Sequence, residues 1–152
     1  MTVSKKPESQ YTMVDWWKKV VIDNYANFDG RARRSEYWYF SLLNILITVV
    51  FGFILVVMGA LSDRAGEPPV TFYLVLMVLA LAYLMLLLPS IAVAVRRLHD
   101  TDKSGWWYLL GVIPIINYVG GIVLLIFYCT EGTRGANQYG KDPKEQSGEL
   151  FL

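Results

Sequence analysis

Three long stretches of this 152-residue sequence lack charged side chains entirely. Residues 37–62, 68–95 and 104–130 contain no Asp, Glu, Lys, Arg or His, so the 14 basic and 13 acidic residues all lie outside them. A helix needs roughly 20 apolar residues to cross about 30 Å of hydrocarbon, and each stretch is longer than that. A charge at the bilayer centre costs about 2.5–3.5 kcal/mol, which explains why these stretches hold none. This absence predicts an all-α, polytopic membrane protein with three hydrophobic segments.

Cysteine and histidine are also scarce, since Cys129 and His99 are the single residues of their types. One cysteine excludes an internal disulfide, and the two residues fall short of the four nitrogen or sulfur ligands of a structural zinc site. We therefore predict neither a metal site nor a bound cofactor. A cleavable signal peptide is not expected either, because residues 1–36 are rich in charge and contain no apolar core of the required length. The first hydrophobic segment would then act as an uncleaved signal anchor.

The hydrophobic segments indicate a single membrane domain over residues 12–147, between a disordered N-terminus (1–11) and a flexible C-terminus (148–152). The spans are predicted at about 37–60, 71–95 and 105–129. Pro89 lies inside the second span, where its missing N–H group predicts a kink.

Residues 12–26 have the periodicity of an amphipathic helix. Its less polar face consists of residues at helical spacing, namely Met13, Trp16, Trp17, Val20, Val21 and Asn24. Adjacent tryptophans followed by lysines are typical of a helix that lies in the headgroup plane, which would make Trp16 and Trp17 interfacial anchors. The alternative is that this face packs on the protein's own cytosolic loops.

The first span begins with aromatic residues and carries a stripe of small and polar ones. Trp38 stands in a run of four aromatic residues at its start, which is typical of a membrane interface and makes Trp38 another predicted anchor. The stripe recurs every three or four positions and predicts close packing against another helix. It consists of Ser41, Asn44, Thr48 and Gly52.

The third segment is the least regular of the three. Trp106 and Trp107 near its start are predicted interfacial anchors, and Ser104 is a candidate N-cap. Helix-breaking residues interrupt its middle, namely Pro114, Asn117, Gly120 and Gly121. Two short half-helices joined at Pro114–Asn117, forming a re-entrant segment, and one continuous span are both compatible with this pattern.

The basic residues are distributed unevenly around the spans. Seven Lys and Arg residues precede the first span, one lies in the first loop, three lie in the second loop and three in the tail. The excess before the first span predicts a cytoplasmic N-terminus. Three full crossings would leave 10 basic residues inside and 4 outside, whereas a re-entrant third segment would leave 13 and 1. The charges thus favour a cytoplasmic tail, while the length of the third segment favours a crossing.

Three motifs flank the spans. They are FDGRARRSEYW at residues 28–38, RRLHDTDKSGWW at 96–107 and GTRGANQYGKDP at 132–143. In this order they resemble the domain-of-unknown-function 805 family of small bacterial inner-membrane proteins, over residues 13–143 of this chain. The tail departs from the family pattern at Gln138 and Lys141. The resemblance implies a multi-pass protein of the bacterial inner membrane and implies no activity.

The first two motifs share one predicted membrane face and supply a basic collar, formed by Arg31, Arg33, Arg34, Arg96 and Arg97. Arginine's planar fork suits phosphate or carboxylate, so the collar could contact anionic headgroups or a partner. It could equally do no more than orient the protein, since a basic residue near anionic headgroups contributes about 1 kcal/mol. A further role is structural: Glu36 and Asp100 would accept hydrogen bonds from these arginines and lock the first span to the second.

A catalytic role rests on His99 and Asp100, which place an imidazole beside a carboxylate. Adjacent residues on a helix point about 100° apart, so these two do not form a dyad by themselves. Ser35 and Ser104 would be nucleophiles only if the fold brought His99 to them. We therefore predict no enzymatic activity and group His99 with the lock and headgroup-contact residues.

The predicted function is that of a non-catalytic interaction or accessory protein, whose collar contacts anionic lipid or a membrane-protein partner. The alternative is a homo-oligomeric channel or carrier, although no ionisable Asp, Glu, Lys, Arg or His lies within a span. Nucleic acid is not a predicted partner, because the basic residues flank the spans at a lipid surface.

Overall fold

The computed structural model describes residues 7–62 and 69–146, and this part of the chain is helical and contains no β-strand. Its five α-helices are α1 (Met13–Lys18), α2 (Arg34–Ser62), α3 (Val70–Asp100), α4 (Asn117–Cys129) and α5 (Pro143–Gln146). Shorter elements are 3-10 helices at Glu8–Gln10 and Gly105–Gly111 and a π-helical turn at Lys19–Asp23. The predicted all-α class is confirmed. The predicted flexible C-terminus, 148–152, lies outside the described residues.

Helices α2 and α3 contain the first two predicted spans and are long and apolar enough to cross a membrane. Their 29 and 31 residues rise about 44 and 46 Å at 1.5 Å per residue, more than the ~30 Å hydrocarbon core. Most of their large apolar side chains are exposed; Phe53 and Val56, for example, are each 69% exposed. Apolar surface on this scale is unfavourable in water and is covered by lipid in a membrane protein.

The third segment consists of two short helical pieces. A 3-10 helix covers Gly105–Gly111, and Ser104 is its N-cap, since the Ser104 hydroxyl accepts a hydrogen bond from the Trp106 N–H. After a turn that includes Ile115 at φ 73°, α4 begins at Asn117. The 13 residues of α4 rise only about 20 Å, less than the hydrocarbon thickness. The split predicted at Pro114–Asn117 is present, and the single continuous helix is not.

The two pieces run close together because α4 has a glycine, Gly120, where it contacts the 3-10 helix. A methyl group placed on Gly120 would lie 2.7 Å from the Cβ of Leu110, and closer still to its carbonyl oxygen. Gly121, one position later, has open space at the same point among the described residues. The glycine pair therefore contains one packing position and one free position.

Helix α1 packs against the rest of the protein through the face predicted to lie in the headgroup plane. Thr12 and Asp15 form a reciprocal capping box, which explains why the helix begins at Met13. Trp16 is only 3% exposed, and Val20 is fully buried. Val20 belongs to a core cluster with residues before α2, in α2 and in α3, namely Ala32, Phe40 and Val93. The interfacial orientation of this face is therefore wrong: its residues gain more contact by covering α2 and α3 than by facing headgroups.

Glu8–Gln10 precedes α1 as a 3-10 helix, within the segment 1–11 that the sequence predicts to be disordered. Glu8 is held by ion pairs to Lys19, at 2.7 Å, and to Arg33, at 3.1 Å. The structure thus describes a helical turn at Glu8–Gln10, residues 1–6 lie outside the described residues, and the disorder of segment 1–11 stays a prediction.

The small and polar stripe of α2 contacts α1 at Asn44 and borders a groove along the rest of its length. Asn44 accepts a hydrogen bond from the Trp17 indole N–H at 3.0 Å, and the Thr48 hydroxyl donates to the Asn44 carbonyl of its own helix. No described atom outside the helix backbone lies within 4 Å of a methyl group placed on Gly52. The predicted close packing is therefore present at Asn44, against α1, and is missing among the described residues at Gly52, where a groove of about 530 Å³ lies between α2 and α3.

Candidate anion-binding site

The three sequence motifs meet at one end of the α2–α3 pair. The backbone N–H of Ala32 donates to the carbonyl of Arg96 at 3.0 Å, which joins the first motif to the second. The N–H of Thr133 donates to the carbonyl of Asp100 at 2.9 Å, which joins the third motif to the second. The start of α2, the end of α3 and the segment after α4 therefore form one polar cap.

Glu36 lies at the centre of the first ion-pair network in this cap. Its carboxylate accepts from the Arg96 guanidinium at 2.6 Å and from Lys19 Nζ at 3.0 Å. Both Glu36 and Arg96 are buried, at 1% and 3% exposure. Lys19 also forms an ion pair with Glu8, and Glu8 forms a further ion pair with Arg33. The predicted partners Glu36 and Arg96 are in contact; the parts played by Lys19 and Glu8 are visible only in the fold.

Asp100 lies at the centre of the second network. One carboxylate oxygen accepts from Arg31 Nε at 2.9 Å, and the other accepts from Arg97. Arg31 also donates to the carbonyl of Gly135 at 2.6 Å, and Arg97 donates to the carbonyls of Tyr128 and Thr130. The two arginines thus bind the carboxylate and the chain after α4 together.

Gly132 is required for this approach of the tail to Asp100. A methyl group placed on Gly132 would lie 2.6 Å from the Asp100 carboxyl carbon, and closer to one of its oxygens. Asp142 is 5% exposed and joins two parts of the tail, because its carboxylate accepts hydrogen bonds from the N–H groups of Gly135 and Lys144 at 3.1 and 2.9 Å. Backbone and side-chain contacts together fix the tail on the ends of α2 and α3.

His99 occupies a structural position in the cap. Its ring stacks on Tyr139 with centroids 3.9 Å apart and planes 2° apart, and Nδ1 lies 3.2 Å from the Gly30 carbonyl oxygen. Within the described ranges, no hydrogen bond joins it to the two candidate nucleophiles. The Ser35 hydroxyl is without a partner there, and the Ser104 hydroxyl caps its own helix. The geometry therefore assembles no serine–histidine pair.

Two tail residues that sequence reasoning left out complete a cavity of about 530 Å³ beside this cap. Arg134 and Lys144 join collar residues in its wall. The lining comprises Arg31, Arg33, Arg34, Ser35, Asp100, Glu131, Gly132, Arg134, Asp142, Pro143 and Lys144. We call this the first cavity. The signal for Arg134 is its place inside the third motif, but the sequence does not reveal that the tail folds back to Arg34.

The first cavity opens at the N-terminal end of α2. Peptide N–H groups in the first turn of a helix have no partner within the helix, and this end carries partial positive charge. Arg34 is 47% exposed and lies 3.9 Å from Glu131, a long contact. Arg134 is exposed and makes no hydrogen bond or ion pair to the described residues. Five cationic side chains against three carboxylates give the wall an excess of positive charge.

Ion pairs at the cap change the titration of two groups outside the long helices. Burial lowers the pKa of Lys19, but the charges and hydrogen bonds of Glu36 and Glu8 outweigh it, so its pKa is raised above 10.5. The hydrogen bond from Lys144 and its charge lower the pKa of Glu131. Both groups are therefore held in their charged forms near neutral pH.

The predicted interfacial tryptophans differ in their surroundings. Trp16 is enclosed by Tyr11, Lys19 and Arg33, so it is not an interfacial anchor. Trp17 is half-buried. Trp38, Trp106 and Trp107 are exposed, as an anchor must be, and their positions in the interface remain predictions. In residues 7–62 and 69–146, no group of three His, Cys, Asp or Glu side chains is arranged to hold a metal ion.

Comparison with known proteins identifies the family. The model of the family described as "Protein of unknown function (DUF805)" matches residues 25–141 and so includes all of the first motif from Phe28, all of the second and most of the third. The chain belongs to the DUF805 family. The resemblance recognised in the three motifs is thus confirmed, together with the membrane class of the protein.

Relatives of this family member come from Escherichia coli K12. "Inner membrane protein YhaI" is 44% identical over 129 residues, which cover 84% of this chain and 95% of the relative. "Inner membrane protein YhaH" is 44% identical over 133 residues, which cover 86% and 98%. "Uncharacterized protein YiiR" is 28% identical over 141 residues, which cover 78% and 87%. The first two names support an inner-membrane location for this DUF805 protein. No solved structure matches it.

Proposed function

We propose that this DUF805 protein is a non-catalytic accessory protein of the bacterial inner membrane, and that its first cavity binds the headgroup of an anionic lipid. The observation that carries the proposal is the excess of cationic side chains around a cavity of about 530 Å³ at the N-terminal end of α2. This end of a span-length helix is where phosphate groups of a bilayer would be found.

The proposed topology has two crossings, α2 and α3, and a third segment that enters the membrane and returns. It is supported by the contacts of the tail, since Arg31 and Asp100 bind residues 133–135 at the end where α2 begins. A tail on the opposite side of a bilayer could not make these contacts. Re-entry also divides the basic residues 13 to 1, and the positive-inside rule then makes the cap cytoplasmic.

The arginines of the collar and of the tail have two roles in this proposal. Arg31, Arg96 and Arg97 are buried and bound to carboxylates, so they hold the cap together. Arg34 and Arg134 are exposed at the cavity and remain available to a phosphate, which arginine binds by paired hydrogen bonds. The lipid contact is therefore assigned to the exposed pair, and the structural lock to the buried three.

The test measures lipid retention by native mass spectrometry on full-length protein purified in detergent and given equal amounts of phosphatidylglycerol and phosphatidylcholine. We expect several-fold more bound phosphatidylglycerol for the wild type. The double variant Arg34→Gln/Arg134→Gln should bind the two lipids about equally.

The matched control is Lys18→Gln/Lys103→Gln, which removes the same net charge outside the cavity. It should keep the wild-type preference. Equal loss of preference in both double variants would mean that overall charge, and not the cavity, selects the lipid. Selective ion or solute flux through liposomes containing the wild type would contradict the accessory role.

A further inference from the structure

Arg96 is buried, yet two of its three guanidinium nitrogens, which carry three of its five N–H groups, have no partner among the described residues. Its Nη1 donates to Glu36, but Nε and Nη2 are buried without a partner in the described part of the chain. The residue is 3% exposed. A buried donor without an acceptor is unfavourable, and more so when it is charged, so nearly all such groups in proteins have a partner.

The two free nitrogens form one edge of the guanidinium. Nε–H and one Nη2–H lie parallel in the same plane, which matches two oxygens of a phosphate or carboxylate. Because Nη1 is already bound to Glu36, the side chain is held in position and its free edge is oriented before any ligand arrives. This pre-organisation reduces the ordering cost of binding.

A second cavity, of about 240 Å³, lies beside Arg96. Its lining comprises Lys19, Asn24, Asn27, Asp29, Gly30, Arg31, Glu36, Arg96, Tyr139, Gly140, Lys141 and Pro143. Four of these side chains are cationic and two are carboxylates, so the wall carries excess positive charge. Lys141 is exposed and makes no ion pair with a described residue, which leaves its ammonium group available to an anion.

We propose that the second cavity binds a phosphate group, with the Nε/Nη2 edge of Arg96 as the bidentate donor and Lys141 as a second cation. The phosphate belongs either to a soluble phosphate compound or to a lipid headgroup. The site is separate from the first cavity, with which it shares only Arg31 and Pro143.

The test is thermal unfolding of full-length protein in detergent, titrated with inorganic phosphate against chloride at constant ionic strength. We expect the wild-type midpoint to rise saturably with phosphate alone. Lys141→Gln should raise the half-saturating concentration at least threefold, and Arg96→Lys, which keeps the charge but loses the fork, should abolish the response. Lys103→Gln, a lysine outside the cavity, is the matched control and should respond as the wild type does.

Two further measurements identify which cavity binds phosphate and whether a lipid headgroup supplies it. In an Arg34→Gln/Arg134→Gln background, Lys141→Gln should still raise the half-saturating phosphate concentration at least threefold, which separates this site from the headgroup site proposed above; loss of the Lys141 effect in this background would overturn the separate site. Short-chain phosphatidylglycerol, added in place of inorganic phosphate, shows whether a lipid headgroup supplies the group; a response to either ligand that Lys141→Gln weakens supports the site.

No response to either ligand, or one that Lys141→Gln leaves unchanged, would overturn the proposal even if Arg96→Lys failed to fold. The same holds for equal midpoint shifts in phosphate and chloride, since water alone would then satisfy the free edge of Arg96.

Discussion

The hydroxyl of Tyr25 donates a hydrogen bond to the backbone carbonyl of Met85, across 2.7 Å. Met85 lies four residues before Pro89 inside α3, and proline has no N–H to offer that carbonyl. Tyr25 therefore supplies the hydrogen bond that Pro89 removes. The same hydrogen bond also connects the segment between α1 and α2 to α3, the helix that contains Pro89.

Tyr25→Phe should lower the free energy of unfolding by about 1 kcal/mol, because the Met85 carbonyl loses its donor. In a Pro89→Ala background the same substitution should cost less, since an alanine at this position restores a helical N–H to the Met85 carbonyl. A double-mutant cycle of unfolding in detergent measures this coupling. Equal costs in the two backgrounds would show that Tyr25 does not replace the missing bond.

Glu36→Gln should destabilise the cap by about 3–5 kcal/mol, because it leaves Arg96 buried beside a neutral side chain. Glu131→Gln is the matched control, since Glu131 pairs with Lys144 at the surface and should matter little. Thermal unfolding in detergent compares the two variants. Similar melting of both would remove the structural lock as an explanation for the buried pair.

Gly120→Ala should destabilise the protein by about 1–3 kcal/mol, because the added methyl group would overlap Leu110. Gly121→Ala adds the same methyl group in open space and should be neutral or slightly stabilising. Unfolding midpoints of the two neighbouring variants provide the comparison. If they agreed, the close approach of the two pieces of the third segment would be wrong.

The ion pairs of Lys19 should make stability depend on pH in the alkaline range. Because its pKa is raised in the folded state, Lys19 contributes stability fully below its ordinary value of 10.5, and this is lost as pH rises through the higher folded-state pKa. The stability difference between wild type and Lys19→Gln should thus be constant up to about pH 10 and shrink above it. Melting curves of both proteins from neutral to strongly alkaline pH measure this difference, and a constant difference throughout would contradict the assignment.

A reporter that is active only in the cytoplasm, fused after Leu152, should be active. The expectation follows from the contacts that hold residues 133–135 to Arg31 and Asp100. The same reporter inserted between residues 63 and 68 is the control and should be inactive, since that loop would lie across the membrane. Activity at neither position would indicate a third full crossing, and activity at the loop alone would indicate the inverted orientation. Either result, or activity at both positions, would contradict the proposed topology.

Local pattern was sufficient for the helices but not for their environment. The apolar length of α2 and α3 is visible in the sequence because a span needs continuous apolar residues wherever its neighbours lie. Trp16 shows the limit of this approach: lipid headgroups and a protein interior both select an amphipathic face with aromatic residues. Only the position of Val20 against Phe40 and Val93 distinguishes the two.

The candidate site shows the same division. Glu36, Asp100 and the arginines were identifiable from the sequence, because charges next to a span must be paired, hydrated or bound to headgroups. The sequence did not identify the individual partners of these residues, or the contributions of Glu8, Lys19 and Arg134 to the cap and its cavity. Those contacts join residues that are up to 109 positions apart, as in the hydrogen bond from Arg31 to the Gly140 carbonyl, and no local periodicity records them.

The sequence by itself determined that the chain is helical, apolar over three stretches and charged only outside them, because the hydrocarbon core excludes charge residue by residue. The tertiary structure alone decided what the excluded charges do. It buries Arg31, Arg96 and Arg97 in ion pairs, leaves Arg34 and Arg134 open at a cavity, and returns the third stretch to the end where α2 begins. The physical reason is that pairing a charge depends on distance in space, which only the packed helices set.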